Sequence, residues 1–335
     1  MITDSIYNDQ KATTAAITIS YMQSAGFHIA TNSIFELLYK INGWMLSGVC
    51  GAMIYGRSRI GKTSAIAYIV DALHVRYGEN FPILVWSLTE HGSKVTDKSF
   101  YAGILNVLGI DIGKYNRITA LELKIKVINY FAIKAAETPF NKAIMIIDEA
   151  YKLDEAEYYW LMDIYNTLRL QHQIQLSIFF VGTPREMICT RDSFILQKKD
   201  QIVERFFINE YRFSGIKSCE ELAYCLSELD KTKVHEALPI DSNVGLVEFF
   251  FPYAYVDSKA TFLSIAEEYW EAFNEVKFKY AINFDDIPMQ YFMQSFLQCL
   301  ISYGTGSLNP KYFLHKNDIT LAIEETGYGR INSDE

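Results

Sequence analysis

Hydrophobic residues gather in short, nearly continuous runs along the chain up to residue 213, and polar segments separate these runs. Such runs are typical of strands in a parallel sheet that is covered on both faces, because neither face of such a strand meets water. The last run instead alternates between apolar and polar residues, as a strand with one exposed face does. The predicted strands are 51–55, 82–88, 143–147, 176–182 and 207–213.

Apolar residues at spacings of three and four predict helices between these strands and after them. Strand and helix alternate up to residue 213, which predicts an α/β fold. We therefore divide the chain into an N-terminal helical element (1–50), an α/β core (51–213) and a helical lid with an aromatic-rich extension (214–335). The predicted helices are 34–45, 65–73, 99–108, 121–136, 151–170, 219–229, 260–273, 289–302 and 320–325.

The first predicted strand runs into a glycine-framed loop, GRSRIGKT, which satisfies G-x-x-x-x-G-K-[ST]. Gly56 and Gly61 let the backbone turn tightly and point several N–H groups at one anion. Lys62 would reach the β- and γ-phosphates of ATP, and the Thr63 hydroxyl would bind Mg²⁺. An ordinary glycine turn is the alternative, but a preceding strand and a following helix favour the phosphate-binding loop. The residues predicted to surround the nucleotide are Gly56, Arg57, Ser58, Arg59, Ile60, Gly61, Lys62, Thr63 and Ser64.

Two adjacent acids, Asp148 and Glu149, follow the third apolar run. Two carboxylates side by side need a cation, which implies a metal ion. In phosphate-loop ATPases this Walker B arrangement gives the first acid a place in the Mg²⁺ shell and lets the second polarise the attacking water. Asp148 is therefore predicted to bind the metal and the nucleotide together with Thr63, and Glu149 to be catalytic. An exposed acidic turn is the alternative.

Two further residues are candidates for the catalytic set that already includes Lys62 and Glu149. Thr183 follows the fourth predicted strand, where a polar side chain would lie between the Walker B acids and the γ-phosphate and sense it. A threonine that caps the strand end before a proline is the alternative. Arg205 precedes the last predicted strand, from which an arginine can complete the active site of a neighbouring subunit. A plain surface arginine is the alternative.

Composition limits the class of protein. Half of the 335 residues are hydrophobic, which allows a substantial core and excludes general disorder. The net charge of −9 means that any contact with nucleic acid must come from a local basic patch. The five cysteines form no C-x-x-C pair, which indicates thiols in a reducing cytoplasm. There is no signal-peptide pattern and no apolar run of about eighteen residues, so we expect no membrane span.

Four segments together resemble the TnsC/TniB group of AAA+ ATPases, which regulate transposons, including CRISPR-associated ones. The likeness covers about 30–215, and its segments are 44–63, 94–109, 145–153 and 180–184. The resemblance implies the AAA+ fold, with five parallel strands in the order 5-1-4-3-2 and a C-terminal helical lid. Secretion ATPases of the ExeA type share the I-I-D-E-A sequence, so an AAA+ ATPase of secretion or signalling type is the alternative. A scaffold that holds nucleotide without hydrolysing it is a third hypothesis.

Members of the TnsC/TniB group bind ATP, oligomerise on double-stranded DNA as rings or helical filaments, and link a target-selection protein to the transposase. The resemblance implies the same for this chain, with ATP hydrolysis controlling assembly. It assigns Gly56, Gly61, Lys62 and Thr63 to the phosphate loop, and Asp148 and Glu149 to Walker B. Thr183 matches the sensor and Arg205 the arginine finger. Arg59 departs from the pattern, because many relatives carry a small residue at that position.

The implied DNA contacts need basic residues near the second predicted strand, where the relatives contact the DNA backbone. Four basic residues fall in loops or at a helix start in that region: Lys94, Lys98, Arg117 and Lys124. Phosphate contacts from them would supply affinity without reading sequence. A filament repeats the patch in every subunit, so the acidic net charge is no obstacle. Ordinary solvated surface charge is the alternative for each.

An aromatic run in the predicted lid, residues 249–255, has the sequence FFFPYAY. It is either part of the core or a surface for a partner, and we expect the core.

Overall fold

The computed structural model describes residues 2–24, 26–90, 95–113, 117–234, 243–308 and 310–331. Five strands form one parallel sheet in the order β2-β3-β4-β1-β5, which confirms the order expected from the sequence. The strands are β1 (Gly51–Tyr55), β2 (Ile83–Ser87), β3 (Lys142–Asp148), β4 (Gln175–Gly182) and β5 (Glu210–Arg212).

Helices lie between these strands and fill the C-terminal third of the chain. Those up to β5 are α1 (Ile2–Met22), α2 (Asn32–Ser47), α3 (Lys62–Tyr77), α4 (Asp97–Val107), α5 (Ala120–Ala136), α6 (Glu155–His172), α7 (Pro184–Leu196) and α8 (Asp200–Phe206). Those after β5 are α9 (Cys219–Lys231), α10 (Leu246–Phe250), α11 (Pro252–Ser258), α12 (Ala266–Lys279), α13 (Met289–Tyr303) and α14 (Lys316–Glu325). No helix within the described residues is both long enough and apolar enough to cross a bilayer.

The chain divides into two compact units. The sheet unit comprises Ile34–Ser58 and Ala65–Phe213. The helical unit comprises Met1–Ser33, Arg59–Ser64 and Ser214–Glu335. Residues 1–50, grouped as one element by the sequence pattern, thus contribute to both units.

The core of the sheet unit explains why the central strands are so apolar. Both β3 and β4 are buried along nearly their whole length. An aromatic cluster packs against β4, with ring centroids 5.4 Å apart for Tyr158 and Phe180 and 5.0 Å apart for Phe180 and Phe206. Phe207 stacks on Phe180 at 5.9 Å. Burial of these rings stabilises this unit.

The prediction of a strand over 207–213 is wrong in length, because β5 holds only Glu210–Arg212. Phe206 ends helix α8, and Phe207 follows it directly with its side chain in the aromatic cluster. The alternating pattern thus joined a helix end to a short edge strand. Three further helices begin at residues other than those predicted from the sequence. A short 3-10 turn at Ala150–Lys152 precedes α6, another at Phe262–Ile265 precedes α12, and α14 begins before residue 320.

Helices α4 and α5 begin two residues and one residue before their predicted starts, and each starts with a capping box. The Thr96 hydroxyl accepts a hydrogen bond from the Ser99 N–H at 3.1 Å, and the Ser99 hydroxyl accepts from the Thr96 N–H at 2.9 Å. Thr119 and Glu122 exchange the same pair of bonds at 3.2 and 2.7 Å. Hydrogen bonds from Thr119 also hold the pKa of the Glu122 carboxyl below its usual value.

The helical unit has its own aromatic core. Phe250 and Phe251 of the run 249–255 are buried in it, as expected, whereas Tyr253 is 74% exposed. Phe262 packs edge-on against Phe296 with ring centroids 4.8 Å apart. The run therefore contributes both to the core and to the surface.

A bridge between two loops depends on Gly215. Its N–H donates to Asp286 Oδ2 at 2.8 Å, and the next residue, Ile216, pairs in antiparallel fashion with Ile287. A Cβ atom at position 215 would lie 2.1 Å from the Ile287 carbonyl oxygen. Because that neighbour is backbone, it has little freedom to move aside.

We therefore expect Gly215→Ala to destabilise the helical unit by about 3 kcal/mol through overpacking. Urea unfolding would measure the change as a lower midpoint. The matched control is Gly245→Ala, because a Cβ atom at Gly245 meets no atom within 4 Å. Equal midpoints for the two variants would contradict the prediction.

Candidate nucleotide-binding site

The two sequence motifs follow strands that end at the same edge of the sheet. Tyr55, the last residue of β1, pairs with Gly182 of β4, and the Gly56 N–H donates to the Gly182 carbonyl at 3.2 Å. Asp148 ends β3 and pairs with Ser87 of β2. Only β4 separates β1 from β3. The phosphate loop therefore leaves the sheet from the same edge as the acid pair.

The loop makes a tight turn at its second glycine. Gly61 has a φ of 104°, a conformation that L side chains rarely adopt, and α3 begins at the next residue, Lys62. Lys62 is half-buried, whereas Thr63 is exposed on the first turn of the helix. A helix N-terminus after a glycine-rich loop favours a bound phosphate. The Arg57 side chain is buried within the loop.

Arg59, which departs from the pattern of the TnsC/TniB group, contacts helix α13 within the helical unit. Its Nη1 donates to the Tyr291 hydroxyl at 2.8 Å, and its guanidinium carbon lies 5.7 Å from the centroid of that ring. The Gln290 N–H donates to the Arg59 carbonyl at 3.3 Å. Arg59 also has a positive φ of 63°, which is uncommon for a residue other than glycine. Its charge is thus engaged by an aromatic residue of the helical unit.

The adjacent acids have different surroundings. Asp148 is 5% exposed and accepts a hydrogen bond from the Glu149 N–H at 3.0 Å. Glu149 turns away through a left-handed backbone, with a φ of 58°. Its carboxylate accepts a hydrogen bond from the Tyr151 hydroxyl and lies 3.5 Å from the Lys152 ammonium. That hydrogen bond, together with burial, raises the pKa of Tyr151 to about 12.

The donor set fits magnesium. Among the described residues, no three His, Cys, Asp or Glu side chains gather at one point, so a site built wholly from protein side chains is absent there. Mg²⁺ is usually bound through one or two carboxylates, with phosphate oxygens and water completing its shell. Asp148 offers a carboxylate at a strand end, and Thr63 offers a hydroxyl. Both are hard oxygen ligands, which suit Mg²⁺ better than zinc.

The other two catalytic candidates already have local partners. The Thr183 hydroxyl donates to the Glu186 carboxylate, at the N-terminus of α7. Arg205 Nη1 donates to Asn166 Oδ1 at 3.1 Å, and the guanidinium carbon lies 6.0 Å from the Tyr165 ring centroid. Both side chains would have to exchange these partners in order to meet a nucleotide.

The DNA candidates lie around α4 and α5, with one exception: Lys94 falls outside the described residues. Lys98 is on the first turn of α4, and exposed Arg117 precedes α5. Lys124, on α5, forms an ion pair with Asp163 at 3.0 Å. A surface pair of this kind is worth at most about 1 kcal/mol, so a phosphate can replace the carboxylate.

Sequence reasoning missed a small cavity in the helical unit. A short path of contacts connects this cavity to the phosphate loop. Ile216, which lines the cavity, exchanges backbone hydrogen bonds with Ile287 at 2.9 and 2.8 Å. Two residues further on, the Met289 side chain lies 3.4 Å from where a Cβ atom of Gly61 would be. No motif marks the lining residues, which are Thr31, Asn32, Gly215, Ile216, Glu221, Tyr224 and Cys225.

The five-stranded parallel sheet, the phosphate loop after β1 and the acid pair after β3 define a P-loop fold of the AAA+ class. A family model described as "AAA domain" matches residues 51–187. No curated protein matches the chain by sequence.

Two solved structures of the Aeropyrum pernix ORC2 protein share the fold. The one described as ADPNP-ADP complexes has a TM-score of 0.58 at 12% sequence identity, covering 92% of this chain and 70% of that one. The ADP form has a TM-score of 0.54 at 12% identity, covering 89% of this chain and 69% of that one. At this identity the likeness shows the fold, and it extends well beyond the segment that the family model matches.

Proposed function

We propose that this chain is an ATPase that binds Mg-ATP at the carboxyl edge of its sheet. The observation that carries the proposal is that the phosphate loop and the acid pair leave the same sheet edge, with only β4 between their strands. Lys62 would bind the phosphates, and Thr63 and Asp148 would hold Mg²⁺. Bound Mg²⁺ would neutralise charge on the phosphates. Glu149 would orient the attacking water and accept its proton.

Thr183 and Arg205 keep their proposed roles as phosphate sensor and as arginine finger of a neighbouring subunit.

We further propose that the ATPase oligomerises on double-stranded DNA and links target selection to a transposase. This part of the proposal is supported by the resemblance of segments 44–63 and 145–153 to the TnsC/TniB group. It is also supported by basic side chains on one part of the sheet unit. Lys98 and Lys124 lie on α4 and α5, which pack together, and Arg117 precedes α5. Asp163 balances the charge of Lys124 in the free protein.

Size-exclusion chromatography and electron microscopy would test the proposal with Mg-ATP, with duplex DNA and with both. We expect rings or filaments only when both are present, and DNA affinity that falls steeply with salt. Monomers under every condition would overturn the DNA part of the proposal. ATP hydrolysis that ignores DNA would favour the secretion or signalling alternative, and nucleotide binding without phosphate release would favour a scaffold.

The double substitution Arg117→Gln and Lys124→Gln tests whether these basic side chains form the DNA-binding surface. We expect DNA affinity to fall about tenfold and the salt slope to decrease by about one for each phosphate that the variant no longer neutralises. Fluorescence anisotropy with labelled duplex measures both quantities. Lys231→Gln is the control, because its side chain is 69% exposed and pairs only locally with Glu228. An unchanged salt slope in the double variant would remove this surface from the proposal.

A further inference from the structure

Two donors hold the Glu149 carboxylate by a single oxygen. The Tyr151 hydroxyl donates to Glu149 Oε2, and Lys152 Nζ lies 3.5 Å from the same atom. Lys152 Nζ also donates to the Leu88 carbonyl at 3.2 Å, which fixes the ammonium beside the sheet edge. Oε2 is thus occupied, and Oε1 is the oxygen that remains to accept a proton from water.

The Tyr151 ring is itself held in place. A Cβ atom at Gly182 would lie 3.2 Å from Tyr151 Cδ1, so the ring packs against the last residue of β4. Lys152 Nζ lies 5.7 Å from the ring centroid. The backbone beneath is a 3-10 turn, closed by a 3.0 Å hydrogen bond from the Lys152 N–H to the Glu149 carbonyl. The donor therefore approaches the carboxylate along one direction.

The Tyr151 hydroxyl stays protonated and can therefore always donate to Glu149. The hydrogen bond to Glu149, then burial, and then the charges of Glu149, Glu186 and Glu90 raise the pKa of Tyr151 to about 12. A raised pKa favours the neutral hydroxyl, so Tyr151 keeps its proton through neutral and moderately alkaline pH. The same turn places the Lys152 ammonium beside the Tyr151 ring and the Glu149 carboxylate.

We propose that Tyr151 is a positioning residue for ATP hydrolysis: its hydroxyl, with Lys152 as a second tether, fixes Glu149 so that Oε1 faces the attacking water. This inference rests on the proposed ATPase function. Tyr151 does not touch the nucleotide in this role, and it acts only through Glu149. Because the orientation of the Glu149 carboxylate is fixed before the substrate binds, no free energy is needed to reorient it during the reaction.

A double-mutant cycle tests the inference with the full-length chain, Mg-ATP and single-turnover phosphate release. We expect Tyr151→Phe to lower kcat about tenfold, the worth of one hydrogen bond to a charged group, with the Kd for Mg-ATP unchanged within about twofold. In the Glu149→Gln background the same change should alter the residual rate by less than about twofold, since Tyr151 then has no general base to position. Tyr159→Phe is the matched control, because Tyr159 is a 38% exposed tyrosine on α6.

The results of this cycle show whether Tyr151 acts through Glu149. A tenfold decrease that is equal in both backgrounds would show a structural effect and overturn it, as would a normal kcat in Tyr151→Phe. If that variant does not fold, Lys152→Gln takes its place in the cycle, with an expected decrease of about threefold that likewise disappears in the Glu149→Gln background. A wild-type chain that releases no phosphate would overturn the proposed function and this inference with it. An active wild type with an inactive Glu149→Gln variant and a normal Tyr151→Phe variant would overturn this inference alone.

Discussion

Lys62→Ala should weaken Mg-ATP binding about 100-fold or more. Lys62 follows directly on the turn at Gly61 and begins α3. In the proposed function its ammonium would therefore reach the β- and γ-phosphates. Its removal would leave phosphate charge uncompensated at the helix N-terminus, and a hydrogen bond between charged groups is worth about 1.5–3 kcal/mol. Isothermal titration calorimetry with Mg-ATP measures the change in Kd.

Arg76→Ala is the matched control for this variant. It removes the same charge from the other end of the same helix, where Arg76 lies over the Tyr77 ring at 5.6 Å. We expect its Kd to equal that of the wild type. If Lys62→Ala and Arg76→Ala titrate alike, the phosphate loop does not bind the nucleotide in the way proposed.

Glu149→Gln should keep Mg-ATP binding and slow hydrolysis about 1,000-fold, because the amide retains the shape of the carboxylate but cannot accept a proton. Any assembly that needs bound ATP should therefore persist longer. Phosphate release measures the first effect, and the lifetime of the assembly in electron micrographs measures the second.

The same substitution at an acid outside the site controls for this variant. Glu155→Gln removes a 39% exposed carboxylate whose ion pair with Lys199 spans 2.7 Å. We expect its hydrolysis rate to stay at the wild-type value. A Glu149→Gln chain that turns over ATP normally would show that another group activates the water.

The parts of the molecule that the sequence predicted are those encoded by neighbouring residues. The loop around Gly61 and the acids after β3 each need one strand and one turn, and their spacing along the chain is therefore sufficient. The parallel character of the sheet follows because continuous apolar runs favour a sheet covered on both faces, whereas the order of the strands was implied by the resemblance to AAA+ ATPases. The predicted β5 was too long, because the buried Phe207 caps the end of α8 and is not part of the edge strand.

The parts that the sequence did not predict are contacts between distant residues. Nothing in the local pattern links Arg59 to Tyr291, and the cavity near Gly215 collects residues from far apart in the chain. The C-terminal helices carry no motif either, yet the likeness to the ORC2 protein extends over 92% of this chain. Tyr151 was overlooked for a different reason: it lies two residues from Glu149, but its role depends on how the left-handed turn folds back.

The bond between Arg59 and Tyr291 has a consequence for protein engineering. An exchange of residues 214–335 for those of a relative would replace Tyr291 and leave Arg59, in the proposed phosphate-binding loop, without its aromatic partner. Functional hybrids should therefore require the arginine and the tyrosine to be transplanted together, or both to be returned to small residues. Homologous sequences should show the same two positions varying as a pair.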